Sequence, residues 1–255
     1  MSYVDREKQI LSVLKDYPTL NVKTLMQKIY ASEATIRRDL KKMEEKGLII
    51  RPHGKIKLAS TLADQPYEFS FRENFQSPIK KELAKQAVAL YVKSGNVIML
   101  DASSTVMNAV PFLSKHNDIV VITSGLKTSL LLSQTPIKFY STGGRAINTS
   151  YSYIGQTAIN TLKNFNADVC FVSCYGLNEQ GFATDSSERE NEIRFAIMKQ
   201  SKRKVLLIDS SKIGKGYWHN LCHISDFDDV FCDKPLPENL LKHVKNFHLI
   251  NMNDN

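Results

Sequence analysis

Apolar residues follow two regimes along the chain. Over the first sixty positions they recur at helical spacing. From about residue 97 they come in short runs separated by amphipathic stretches. Ile10, Leu11 and Leu14 share one side of a helix predicted over 5–14. Asn21 is a good N-cap for a second helix, in which Val22, Leu25, Met26 and Ile29 form a stripe at i, i+3, i+4, i+7. A break at Ala31-Ser32 precedes a third helix. Ser32 is positioned to cap it, Ile36, Leu40 and Met43 lie on its inner face, and Gly47 ends it. Residues 48–51 and 55–58 read as two short strands around Pro52-His53-Gly54. Three short helices and a β-hairpin predict a winged helix-turn-helix over 1–58.

Residues 59–74 sustain neither period and are expected to be a linker, its second half packed on the next domain. A helix over 78–92, with Ser77 as its cap, has Leu83, Ala84, Ala87, Val88 and Tyr91 as its buried stripe. Apolar strands are then expected at 97–100, 119–123, 137–140, 169–173, 204–208, 230–232 and 247–250. Helices are expected at 105–113, 126–133, 156–163, 188–201 and 237–244, the first of them kinked or shortened by Pro111. This alternation predicts an α/β domain over 75–255, a mostly parallel sheet with helices on both faces.

Charge sharpens the division. The whole chain carries 34 basic and 26 acidic side chains, net +8. Residues 1–60 hold thirteen of the basic and seven of the acidic groups, so six of the eight surplus charges lie there. The outer face of the third helix shows Ser32, Thr35, Arg37, Arg38, Lys41 and Lys42. The wing adds Arg51, His53, Lys55 and Lys57. A basic helix face is often only solvated surface. Beside a tight helix-turn-helix joint and a basic wing, it fits the major groove of double-stranded operator DNA, where guanidinium groups reach base edges or phosphates. Asp39 is out of place on such a face and is expected to turn inward toward a basic side chain such as Arg6.

In the second domain the carboxyl ends of the strands are polar, and ligands of parallel sheets gather there. They read Asp101-Ala102-Ser103-Ser104-Thr105, Ser124-Gly125, Ser141-Thr142-Gly143-Gly144-Arg145 and Asp209-Ser210-Ser211-Lys212. A hydroxyl-rich helix start suits an anion and serves equally as a helix cap. Lys212 suits a phosphate and reads equally as a solvated lysine. Several such loops on one edge favour a small phosphorylated ligand.

Arg6, Ile10, Leu14 and the run 32–40, with Thr35, Ile36, Arg37, Arg38, Asp39 and Leu40, resemble the DNA-binding signature of DeoR-type bacterial transcription regulators. Arg51-Pro52-His53-Gly54 resembles the start of the family's wing motif, although Lys55-Ile56 stands where the family has a second glycine and an alanine. The likeness continues through Asp101, Ser104-Thr105, Thr123, Gly143-Gly144, Gly155, Asp168, Gly176, Gly181, Glu190 and 209–212. It implies a sensor domain similar in fold to ribose-5-phosphate isomerase and CoA-transferase proteins. It also implies a repressor of carbohydrate metabolism genes responsive to a phosphorylated sugar and acting as a homo-oligomer, dimer or tetramer. By this resemblance Ser104, Thr105 and Lys212 hold the effector's phosphate and Asp101 its polar groups, with Ser103, Ser124, Gly143 and Gly144 around them. Ser103 replaces a usual glycine, Ser124 a common asparagine and Arg194 a usual lysine.

Other classes fare less well. An isomerase or acyl-CoA transferase with a fused DNA head needs a poised base. Glu190 and Asp101 are carboxylates, but no paired acid–base constellation calls for one. A regulator that has lost its ligand is the third reading. Cys170, Cys174, Cys222 and Cys232 read as small buried hydrophobes, the first two on one face of a strand. His219, Cys222 and His223 lack the second ligand pair a zinc site wants. No cofactor is expected. No apolar run approaches the roughly 20 residues that span a bilayer, and charges at 5–8 argue against a signal peptide. The expected location is cytoplasmic.

Overall fold

Ser2 opens the first helix, α1 (Tyr3–Asp16). Its hydroxyl accepts from the Asp5 backbone N–H at 3.2 Å, and the Asp5 carboxylate accepts from the Ser2 N–H at 3.1 Å. The computed structural model describes residues 2–45, 48–51, 54–58 and 69–252. The chain forms two compact units that part between Pro78 and Ile79.

In the first unit a short strand, β1 (Leu20–Asn21), leads into α2 (Val22–Ile29), which Asn21 caps by accepting from Thr24 N–H at 2.8 Å. Tyr30 makes the tight joint in left-handed backbone (φ 53°), and α3 (Glu33–Glu45) comes next. Strands β2 (Ile49–Ile50) and β3 (Lys55–Leu58) form the wing with β1, in the antiparallel order β1-β3-β2. Ile10, Leu14, Leu25, Ile29, Ile36, Leu40 and Met43 make the core with Ile49, Ile56 and Leu58. Strand β1 was not expected, because two residues show no period. It closes the wing's free edge. Ile56, where the family wing has a small residue, is fully buried in that core, so the departure is absorbed by packing. Gly47 and His53 lie outside the described residues.

Residues 59–68 are also outside them. Within the stretch expected as linker, residues 69–74 form a helix that sequence periodicity did not announce, α4 (Phe69–Asn74), with Phe69 buried. A six-residue helix is too short to register as a period, and burial rather than propensity sustains it.

Helix α5 (Ser77–Tyr91) leads into the second unit. Strands β4 (Val97–Leu100), β5 (Val120–Thr123) and β6 (Lys138–Ser141) alternate with a short 3-10 stretch at Val106–Ala109, α6 (Val110–Leu113) and α7 (Leu126–Leu132). The expected single helix over 105–113 is thus split at the residue before Pro111, which lacks an N–H to continue it. A small hairpin, β7 (Arg145–Ile147) and β8 (Ser152–Ile154), precedes α8 (Gln156–Leu162) and β9 (Ala167–Val172). Then come β10 (Gly176–Leu177), β11 (Phe182–Asp185), α9 (Glu188–Lys199), β12 (Ser201–Leu207), β13 (His219–His223), β14 (Asp229–Cys232), α10 (Glu238–Leu241) and β15 (Phe247–Leu249). Helix α9 stops short of 201 because Ser201 already pairs with Ala167 in the sheet. Strand β9 ends at Val172, so Cys174 lies beyond it rather than in it.

Seven strands form one parallel sheet in the order β15-β14-β12-β9-β4-β5-β6, all seven at or within a few residues of their expected positions. Alternation within strands sorts side chains to two faces. Met99, Cys170, Val172, Leu206 and Val230 pack with Ala158 and Leu162 of α8 and Ile193 and Ile197 of α9. Ile98, Leu100, Val169, Phe171, Val205 and Leu207 pack with Leu83, Ala84, Ala87 and Val88 of α5. The antiparallel set β10-β11-β13 and the β7–β8 hairpin were not expected. Arg145-Ala146-Ile147 and His219-Asn220-Leu221 carry too few apolar residues to announce strands.

Candidate functional site

Two cationic regions emerge, one in each unit. On α3, burial of Ile36, Leu40 and Met43 turns Arg37, Arg38, Lys41 and Lys42 to solvent. Asp39 turns inward as expected. It is 1% exposed and accepts from Arg6 Nε at 2.5 Å and Nη2 at 3.3 Å, pinning α1 to α3. Ser32 spends its hydroxyl at the start of α3, 2.9 Å from Thr35 Oγ1 and 3.4 Å from Thr35 N. Arg37 is paired with Glu33 one turn back at 2.7 Å, both more than half exposed. Arg51 in the wing is half-buried and 3.8 Å from Glu44, whereas Lys55 is exposed. The face offers Arg38, Lys41 and Lys55 openly, Lys42 from over the Tyr3 ring at 5.0 Å, and Arg37 and Arg51 from surface ion pairs weak enough to exchange.

In the second unit the carboxyl ends of β4, β9 and β12 lie side by side, and so do the residues after them. Asp101 comes directly after β4 and is fully buried. Its Oδ1 accepts from Ser103 N–H at 2.9 Å, and its Oδ2 from Ser173 N–H at 3.0 Å and Arg194 Nε at 3.1 Å. Both oxygens are engaged, so Asp101 shapes the turn. Arg194 also donates to Asp185 at 2.6 Å and Asn191 at 3.1 Å. Burial works against the charge of Arg194, but Asp185 and Asp101 hold its guanidinium above the ordinary range.

The turn residues divide their work. Ser103 accepts from Val106 N–H at 3.1 Å, the cap its position allowed. Ser104 Oγ is 3.2 Å from the ammonium of Lys80, and Thr105 Oγ1 is 3.4 Å from that of Lys212, which also donates to Ser173 Oγ at 2.8 Å. Lys212 is therefore not a solvated lysine: its side chain is 16% exposed and reaches back 4.0 Å from Asp209. Burial pushes the Asp209 carboxyl up, but Lys212 and Lys80, with hydrogen bonds from Ser211, hold it below its usual 3.8.

Ser124 is buried after β5. It joins Ala102, Ser152, Tyr153, Glu190, Ile193 and Arg194 around a small cavity. Ser152 donates to Glu190 Oε1 at 2.5 Å. Gly125 lets this loop approach the turn after β4, since a Cβ there would stand 3.2 Å from Ala102 Cα. Gly143 and Gly144 come after β6, at the sheet's edge. Gly144 needs to be glycine: its φ is 101°, and a Cβ would meet Ile154 O at 2.7 Å. The structure thus gathers Ser103, Ser104, Thr105 and Lys212, sets Ser124 beside their loop, and leaves Gly143-Gly144 two strands away.

Sequence patterning missed Lys80, Ser173 and Ser152. The signal for Lys80 was present, because it stands three and four residues before Leu83 and Ala84, in register with the apolar stripe of α5. The cysteines are all unbridged. Burial raises the Cys170 thiol to about 12 and that of Cys174 to about 11. Among the described residues no group of three or more His, Cys, Asp or Glu is arranged for a metal, and no helix is long and apolar enough to cross a membrane.

Comparison with known proteins agrees with both units. Residues 6–61 match the DeoR-like helix-turn-helix domain and residues 76–234 the DeoR C-terminal sensor domain. The chain is similar to the glycerol-3-phosphate regulon repressor of Escherichia coli strain K12, 24% identical over 98% of each protein. It is also similar to the L-fucose operon activator of Haemophilus influenzae, 30% identical over 93% of this chain and 95% of that one. Among solved structures it is similar to ribose-5-phosphate isomerase A from Methanocaldococcus jannaschii, at 20% identity and a TM-score of 0.40 over 54% of each chain, a partial likeness of fold. The repressor and the activator, similar to this chain over nearly their whole length, are regulators rather than enzymes. The chain belongs to the DeoR family of DNA-binding helix-turn-helix transcriptional regulators.

Proposed function

We propose that this regulator is a repressor of carbohydrate metabolism genes whose operator affinity is set by a phosphorylated sugar at the carboxyl rim of the parallel sheet. Residues 1–58 bind the operator, 59–74 link, and 75–255 sense. Ser32, Thr35, Arg37, Arg38, Lys41 and Lys42 form the groove-facing surface, and Arg51, His53 and Lys55 hold the flanking phosphates. Ser104, Thr105 and Lys212 take the effector's phosphate. Asp101 and Ser103 shape their turn, and Ser124, Gly143 and Gly144 border the rest of the ligand. The observation that carries this reading is the ammonium of Lys212, drawn in from solvent to hydroxyls that stand just past two other strands. Hydroxyls beside an ammonium at a strand-end turn are what a phosphate monoester requires. A regulator of this kind acts as a homo-oligomer, dimer or tetramer, because one short helix offers too small an interface for tight operator binding.

Titrating the full-length protein with phosphorylated and unphosphorylated sugars by calorimetry, then measuring operator binding with and without each, tests the reading. A phosphorylated sugar is expected to bind and weaken the operator complex, and Lys212→Ala to lower sugar-phosphate affinity by about ten- to a hundredfold. Strengthened operator binding would make the effector a corepressor rather than an inducer. Failure of every sugar phosphate to bind would refute the sensor assignment. Sedimentation of the full chain as a monomer at micromolar concentration would refute the oligomer.

A further inference from the structure

We propose that Lys80 is a second phosphate-holding side chain and that, through it, helix α5 carries the occupied state of the site to the junction with the DNA-binding unit. This rests on the sugar-phosphate reading above.

Lys80 is 2% exposed, on the packing face of α5 beside Leu83, Ala84, Ala87 and Val88. A lysine on such a face needs a polar destination, since a buried ammonium is strongly unfavourable without acceptors. Its destination is the turn after β4. Ser104 faces the Lys80 ammonium and the next residue, Thr105, faces that of Lys212. Two cations from elements more than a hundred residues apart in sequence therefore meet adjacent residues of one turn, and the field of each also reaches the buried carboxylate of Asp209. A phosphate monoester is a dianion with three terminal oxygens. Seated on this turn, it accepts one hydrogen bond from each ammonium.

The placement of Lys80 gives the contact a second consequence. Helix α5 starts at Ser77, and the two compact units part between Pro78 and Ile79. Lys80 thus stands in the first turn of α5, two residues past that junction. Lys212 lies more than a hundred residues further along the unit's chain. A ligand shifts a conformational equilibrium only through contacts that differ between the states. Lys80 supplies such a contact on the one helix continuous with the segment leading to the DNA-binding unit.

The test uses the full-length protein with inorganic phosphate, glucose 6-phosphate, fructose 1-phosphate and glycerol 3-phosphate, each compared with its unphosphorylated counterpart where one exists. Binding is read by calorimetry and operator release by fluorescence anisotropy. Both Lys80→Met and Lys212→Ala are expected to weaken whichever phosphate compound the wild type binds by roughly ten- to a hundredfold. At saturating ligand the two should part: Lys212→Ala recovers the operator response and Lys80→Met does not. Wild-type ligand affinity in Lys80→Met, or a full operator response at saturation, overturns the proposal. Should Lys80→Met fail to fold, hydrogen exchange on wild type decides instead. Ligand-induced slowing at residues 77–84 supports the role of α5, and unchanged exchange there overturns it. If no phosphate compound binds wild type, the sugar-phosphate reading itself fails, a result distinct from both.

Discussion

The cations of the winged unit and those of the sensor rim are placed for opposite uses. The Arg37 side chain is 56% exposed and held only by a neighbouring glutamate, whereas Lys80 is 2% exposed and Arg194 4%. An exposed guanidinium keeps its hydration and its freedom until a partner arrives, so its free energy is spent on binding and is screened by salt. A buried one has already lost its water, and carboxylates and hydroxyls of the fold have replaced it. Its free energy goes into holding the unit together. Mutations in the two regions should therefore separate into losses of DNA affinity and losses of stability.

Arg194→Ala makes the hardest test of that separation. It strands Asp101 and Asp185 in the interior without their shared cation, and unpaired buried charges typically cost about 3–5 kcal/mol. Urea unfolding of the sensor unit should show this loss. A midpoint within error of wild type would mean that the buried network is not structural. Next in size is Arg38→Ala. It should leave the unfolding midpoint within about 0.5 kcal/mol of wild type yet weaken the operator complex by about 1–3 kcal/mol if it reads a base edge. Binding across a salt series identifies the contact: a phosphate contact flattens the slope, and a base contact relaxes sequence preference. Wild-type affinity and slope would remove Arg38 from the interface.

A smaller effect is expected in acid. The Asp209 carboxyl is held below its ordinary value of 3.8 against the push of burial, by Lys212 and Lys80. A depressed native value contributes stability that is complete above the unfolded value near 3.8 and is lost as pH falls through the native one. Sensor-unit stability should fall less steeply below pH 3.8 in Asp209→Asn than in wild type, and parallel acid curves would contradict the placement of the two lysines. The smallest effect belongs to Glu33→Gln, which releases Arg37 from a surface pair worth at most about 1 kcal/mol. Operator affinity should rise by less than tenfold, most visibly at low salt. A fall would show that Glu33 positions Arg37 for binding.

The legible parts of this molecule are those in which one physical period dominates. Ile36, Leu40 and Met43 announce α3 because a helix three or four turns long repeats its spacing, and the seven core strands announce themselves as apolar runs because both faces of a parallel sheet are covered. Asp39 was legible as an anomaly: a carboxylate on a basic face must go elsewhere, and it goes to Arg6. Strands β7, β8, β10 and β11 were illegible because two to four residues carry no period. Half of the site was visible as polar residues where apolar strands stop, such as Asp101 after β4. Lys80 was overlooked for the converse reason. It sits where an apolar residue belongs, and its long stem fills that place while the head reaches the turn. Ser173 and Ser152 become site residues only once β9 and β8 are set beside their neighbours.

That all seven strands run the same way has a consequence for probing the protein. The connections of the sheet fall into two sets that do not mix: those leaving the strands make the rim of the proposed ligand site, and those entering them lie at the opposite end. The entering turn at Asn117-Asp118, just before β5, is exposed. A fluorophore on a cysteine placed at Asn117, or a short epitope inserted there, would report from the sensor unit a full strand length away from the turn proposed to hold the phosphate. The chain's direction has in effect marked out where labels, linkers and surface tethers belong.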